Sequence, residues 1–140
     1  MNALVLDAST AVSWCFEETQ THYAIAVLEA ISEGAEVHVP HIWPLEVTNA
    51  LVKALRRRHI TREELFDYAR QLASLRVQVD FDQPAERAFL GVLTLAERYQ
   101  LTTYDAAYLE LAQRRNLPLA TTDGNLLQAA GATKVPVFKP

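Results

Sequence analysis

The apolar positions of this chain change period as it runs: short unbroken apolar stretches alternate with segments whose apolar residues return every three or four positions. Ala3–Leu6 is the first unbroken stretch, the pattern of a strand covered on both faces, and Ser9 is placed to cap a short helix reaching Phe16. From His22 to Ile31, the residues Ala24, Ile25, Val27, Leu28 and Ile31 recur at helical spacing, and Gly34 stops that helix before a second strand over 36–39. Pro44 opens a third helix at a position where its missing N–H costs nothing. Leu45, Thr48, Leu51, Val52 and Leu55 continue that helix, which ends in Arg56, Arg57 and Arg58.

Thr61 and Glu64 have the spacing of a capping box, which opens a helix to about residue 75, and 77–81 reads as a third strand. Helices over 84–99 and 103–115, a strand over 117–121, a helix over 125–130 ended by Gly131 and a last strand over 135–138 complete the chain. Five short strands separated by helices predict an α/β fold, a mostly parallel five-stranded sheet covered by helices on both faces as an α/β/α sandwich.

With 140 residues, 50% of them hydrophobic and 21% charged, the chain is expected to form one domain over 1–140, neither disordered nor low-complexity. Thirteen Lys and Arg against 17 Asp and Glu leave a net charge of −4, so the chain as a whole repels nucleic acid and anionic membrane, and a polyanionic ligand must be drawn by local charge or bound cations. Cys15 is the one cysteine, which excludes an internal disulfide, and no window approaches the roughly 20 apolar residues of a membrane span. Asp7 interrupts the apolar opening, no basic segment precedes it, and a cytoplasmic protein without membrane contact is the expectation.

Parallel sheets place ligand sites outside the carboxyl ends of their strands, where strand order reverses. Four acids fall at such places: Asp7 directly after the first strand, Glu46 in the first turn after Pro44, Asp105 in the first turn of a helix that Thr102 or Thr103 caps, and Asp123 just past the fourth strand. Each has a structural explanation by itself, since a carboxylate at a helix N-terminus gains about 0.3–1 kcal/mol from the dipole and from capping. As a set they can converge on one edge of a right-handed parallel fold, where their like charges would call for a cation. Oxygen ligands alone suit Mg²⁺ or Mn²⁺; zinc fits less well, because His38, His41 and Cys15 form no zinc-ligand spacing. Glycine at positions 34, 91, 124 and 131 builds no phosphate-cradling loop, and Cys15, between Trp14 and Phe16, reads as a packed residue and not a nucleophile.

Four stretches carry a resemblance: Val5-Leu-Asp-Ala-Ser9, Leu45-Glu-Val-Thr-Asn-Ala-Leu51, Leu101-Thr-Thr-Tyr-Asp-Ala-Ala-Tyr-Leu-Glu-Leu-Ala112 and Ala120-Thr-Thr-Asp-Gly-Asn-Leu126. In that order, over nearly the whole chain, they resemble the PIN-domain ribonucleases, and the length and motif order are similar to VapC toxins of toxin–antitoxin pairs. The resemblance implies a PIN-like fold and an endoribonuclease that uses one or two Mg²⁺ or Mn²⁺ ions at a metal site of Asp7, Glu46, Asp105 and Asp123. It also implies supporting roles for Ser9, Asn49 and Thr121. Asp123 occupies the most variable of the four acidic positions, and Gly124 and Asn125 stand where a basic residue is frequent. The same resemblance implies a homodimer and a cognate VapB-like antitoxin whose C-terminal segment lies across the acids.

Lys53, Arg56, Arg57, Arg58 and Arg62, with His59, form the one dense basic run, at the far end of the helix that carries Glu46. They are candidate contacts for the RNA backbone, or cations complementing a helix C-terminus. Tyr104 and Trp43 neighbour two of the acids and are candidates for base stacking or for packing. Two other function classes remain at this level. One is a catalytically silent PIN-like module that binds RNA or protein. The other is a receiver-like signalling domain with Asp80 or Asp82 as phosphoacceptor, although Lys134 precedes the last strand instead of following it.

Overall fold

The computed structural model describes residues 2–140, and β1 (Ala3–Leu6), β2 (Glu36–Pro40), β3 (Val77–Asp80) and β4 (Leu119–Ala120) form one sheet within them. All pairings are parallel and the order is β3-β2-β1-β4. Because β2 and β4 lie on opposite sides of β1, strand order reverses at the β1–β4 boundary, and the crevice of an open parallel sheet opens there. Leu4, Val5 and Leu6 are fully buried, as the unbroken apolar pattern of β1 requires.

Seven α-helices flank the sheet among the described residues: α1 (Ala8–Ser13), α2 (His22–Ser32), α3 (Trp43–Arg56), α4 (Arg62–Ala73), α5 (Val92–Tyr99), α6 (Thr103–Arg115) and α7 (Gly124–Ala132). α6 packs on β1 and β2 and brings Ala106, Tyr108, Leu109, Leu111 and Ala112 into the core. The capping box of α4 forms in both directions, with Thr61 Oγ1 accepting from the Glu64 N–H and a Glu64 carboxylate oxygen accepting from the Thr61 N–H.

Several boundaries depart from the sequence expectation. The fifth strand is reduced to one parallel bridge between Leu119 and Val137, so the sheet has four strands and not five. Prolines account for this: Pro118 and Pro136 lack the N–H that a longer ladder needs, and each offers only its carbonyl, to the N–H groups of Val5 and Leu119. α1 ends at Ser13 instead of reaching Phe16, because the next N–H groups, of Trp14 and Cys15, bond three residues back and tighten the coil. Ser9 lies inside α1, whose N-cap is Asp7. The expected helix over 84–99 contains a π-helical stretch at Arg87–Gly91 ahead of α5. α7 passes through Gly131 to Ala132, and the left-handed residue that closes it is Lys134. Asp80, offered as a phosphoacceptor, is held in ion pairs by Arg114 and Arg115, and the strand order is not that of a receiver domain.

Candidate functional site

At the reversal point the Asp7 N–H donates to the Ala120 carbonyl at 3.0 Å, sewing the end of β1 to the end of β4. The Asp7 side chain is 4% exposed, and its Oδ2 accepts from Ser9 Oγ at 2.6 Å and Thr121 Oγ1 at 2.7 Å. Burial pushes the carboxyl up, the two hydroxyls pull it down, and the charge of Asp123 pushes it up again, leaving it raised. Thr121 Oγ1 also accepts from the Asp123 N–H at 3.0 Å, so one buried hydroxyl joins both strand ends.

Glu46 lies in the first turn of α3, where buried Trp43 and Val47 anchor the helix and leave the Glu46 carboxylate half-buried at the mouth. Its Oε1 accepts from the Tyr108 hydroxyl at 2.6 Å. Burial raises the carboxyl, the Tyr108 bond lowers it, and the charges of Asp7 and Asp105 raise it further. Asp105 is half-buried in the first turn of α6, where Thr102 Oγ1 caps its N–H at 3.0 Å. Its carboxyl is raised by burial, then by the charges of Asp7 and Asp123, against a lowering pull from Thr102. The acids therefore sense one another across the sheet edge: Asp7 with Glu46, Asp105 and Asp123, and Asp105 also with Glu46 and Asp123.

Capping explains these acids unequally. Asp123 is an N-cap in the full sense, its Oδ2 accepting from the Leu126 N–H at 2.9 Å. Asp105 completes only half of a capping box, since its carboxylate does not return to the Thr102 backbone as Glu64 returns to Thr61. Asp7 makes no side-chain capping bond in α1.

The donor set tests whether a divalent cation fits. All four side chains offer oxygen only, and among the described residues no Lys or Arg forms an ion pair with any of them. As they stand they do not close into a cage, for no group of three or more His, Cys, Asp or Glu among the described residues is drawn together tightly enough to hold an ion. An open, all-oxygen edge with uncompensated charge fits Mg²⁺ or Mn²⁺, which keeps several waters, and does not fit a closed zinc site. His38 lies 3.6 Å from Glu36 and His41 is exposed, so neither joins these acids.

Beside Glu46 runs an open groove of about 610 Å³, lined by Leu45, Glu46, Asn49, Val52, Arg56 and Tyr104 among others. Tyr104 and Leu45 are 57% and 65% exposed in it, whereas Trp43 is buried in the core. The basic run divides here. Arg56 lines this groove, Lys53 and Arg57 line a separate one with Phe16 and Glu18, Arg58 closes α3 in the left-handed conformation, and Arg62 stacks on Phe66. Tyr108 is the functional candidate that the apolar pattern hides; its signal is only that a buried phenol needs an acceptor.

The family model of the PIN domain matches residues 4–132. Ribonuclease VapC12 of Mycobacterium tuberculosis is 35% identical over 133 residues, 91% of this chain and 92% of that protein. Two solved structures share the fold. PAE2754 from Pyrobaculum aerophilum has a TM-score of 0.70 at 24% identity, covering 97% of this chain and 88% of its own. VapBC2 from Rickettsia felis, bound to a DNA fragment from their promoter, has a TM-score of 0.68 at 14% identity, covering 98% and 97%. The chain belongs to the PIN-domain family and is VapC-like.

Proposed function

We propose that this protein is an endoribonuclease dependent on Mg²⁺ or Mn²⁺, and that it acts as the toxin of a toxin–antitoxin pair. Asp7, Glu46 and Asp105 are the proposed metal ligands, with Asp123 the least committed because it already caps α7. The observation that carries the reading is that these acids flank the reversal point of the sheet with no Lys or Arg paired to them among the described residues. Burial and like charge raise the carboxyls of Asp7, Glu46 and Asp105 together, an expense that a cation relieves and that a purely structural trio has no reason to keep. The ribonuclease name of the M. tuberculosis relative supports RNA as the substrate.

A divalent cation held by these acids would supply positive charge against the negative charge that develops on the phosphate and would make water a stronger nucleophile. The chain's own residues do the rest. Ser9 and Thr121 fix the Asp7 carboxylate through Oδ2, and Tyr108 fixes that of Glu46 through Oε1. Tyr104 offers an exposed ring for base stacking, and Arg56 a guanidinium for a phosphate in the same groove. Asn49, exposed one turn along α3 from Glu46, faces that groove. Lys53, Arg57, Arg58 and Arg62 reach only flanking nucleotides.

A VapB-like antitoxin and a second copy of the chain are the proposed partners; the likeness to VapBC2 supports the first. The test is incubation of structured cellular RNAs with the purified protein in Mn²⁺ and in chelator, beside Asp105→Asn. Cleavage should require Mn²⁺ and vanish in the variant. Mn²⁺ at millimolar concentration should raise the melting temperature of the wild type more than that of the variant. Intact RNA in Mn²⁺, or equal thermal shifts, would leave a silent binding module in place of the enzyme.

A further inference from the structure

Tyr108 occupies a position that its sequence neighbours disguise, in the middle of a run that α6 packs against the sheet. Its side chain is fully buried, yet its hydroxyl reaches the site and donates to Glu46 Oε1, 62 residues away in the chain. Asp105 lies three residues before Tyr108, one turn back on the same face of α6. One hydroxyl thus ties the carboxylate of Glu46 to the helix that carries Asp105.

We infer that Tyr108 is a positioning residue: its hydroxyl holds Glu46 at a fixed separation from Asp7 and Asp105 and leaves Oε2 as the oxygen for a divalent cation. The inference rests on the metal-dependent reading of the site. Geometry favours it over simple satisfaction of a buried phenol. A phenolic O–H can be satisfied by any nearby carbonyl, and α6 lies among backbone carbonyls, but here it is spent on a side chain that three flexible torsions would otherwise leave free to swing away from its neighbours. Because the ring is locked in the core, the hydroxyl is a rigid stop. Groups that orient a metal ligand typically carry about 10–100-fold in metal affinity or activity.

The test removes the hydroxyl and keeps the ring. Mn²⁺ binding is measured by electron paramagnetic resonance on wild type, Tyr108→Phe, Glu46→Gln and the double variant, each first checked for an unchanged fold by thermal melting. Phenylalanine fills the same core volume, so Tyr108→Phe should fold. It should bind Mn²⁺ roughly tenfold more weakly and lose kcat on RNA with KM unchanged. In the Glu46→Gln background the same substitution should have no further effect, because Tyr108 acts through Glu46. Tyr108→Phe binding Mn²⁺ within twofold of wild type, or weakening it equally in both backgrounds, would overturn the inference, since packing alone predicts one or the other. Wild type that binds no Mn²⁺ would overturn the metal reading itself, a separate failure that takes this inference with it.

Discussion

Thr121 shows how much one buried atom carries. It is 2% exposed, and its oxygen both donates to Asp7 Oδ2 and accepts the Asp123 N–H. Thr121→Val keeps the shape, strips a donor from a buried carboxylate and leaves an N–H without its partner, so it should cost about 1–3 kcal/mol in urea unfolding. Ser9→Ala removes the other donor to Asp7 at an exposed position where water takes its place, and should cost about 0.5–1 kcal/mol. Equal costs would deny Thr121 its role as the joint between strand ends. All four acids are legible in the sequence because they stand where strands stop and helices start, whereas the supporting roles of Ser9 and Thr121 come from the family resemblance and the cap expected of Ser9 falls to Asp7. Tyr108 is not legible, because it sits within an apolar run and finds its side-chain partner, Glu46, through tertiary structure; Glu110 pairs locally with Arg114, four residues on, but its bond from Gln83 is tertiary too. Periodicity reports which face of a helix is buried and says nothing about what a buried polar tip meets there.

α6 is the element in which stability and function share a helix. Asp105 and Tyr108 serve the site from its first half, while in its second half Glu110, 0% exposed, accepts from Arg114 Nε at 2.7 Å and Gln83 Nε2 at 2.8 Å. Arg114 also pairs with Asp80 at the end of β3, so a single guanidinium serves two buried carboxylates and ties α6 to the sheet. Arg114→Met should destabilise the fold by about 3 kcal/mol in urea unfolding, the low end for breaking a buried pair, because Arg115 still reaches Asp80 and Arg87 still lies 3.5 Å from Glu110. A loss under about 1 kcal/mol would mean that the network is solvated and not buried. The ends of α2, α5 and α6 fall within a residue of the sequence expectation and that of α3 within its arginine run, whereas α7 passes the Gly131 expected to stop it. α2, α3, α5, α6 and α7 all close with an N–H bonded five residues back, after a left-handed residue: Gly34, Arg58, Gln100, Asn116 and Lys134 respectively. Gly34, with hydrogen in place of Cβ, and Asn116 belong to residue types that favour this conformation. Arg58, Gln100 and Lys134 adopt it too, and their identity gives no sign of it.

The whole molecule sets two groups of carboxylates against each other in their response to pH. Asp7, Glu46 and Asp105 hold their protons more tightly folded than unfolded, so they stabilise the fold in acid and lose that contribution as pH rises through their raised values. Asp80 is the reverse: burial works to raise it, but the bond and charge of Arg114, with help from the Asp82 N–H and Arg115, outweigh burial and leave it lowered. Its contribution is present above the ordinary carboxylate range and disappears as pH falls through the lowered value. In chelator the melting temperature should therefore be highest near the ordinary carboxylate range and decline as pH rises through the raised values. Mn²⁺ competes with protons for the first group, so its stabilisation should grow as pH rises and flatten or reverse that decline. Melting curves from pH 3 to pH 8, with chelator and with millimolar Mn²⁺, separate the two terms. The acid limb, set by Asp80, should coincide in both series, while the neutral limb should split. Parallel curves along the whole range would mean that the three raised acids bind no cation. A split confined to wild type and absent from Asp105→Asn would tie the neutral limb to the same edge of the sheet at which strand order reverses.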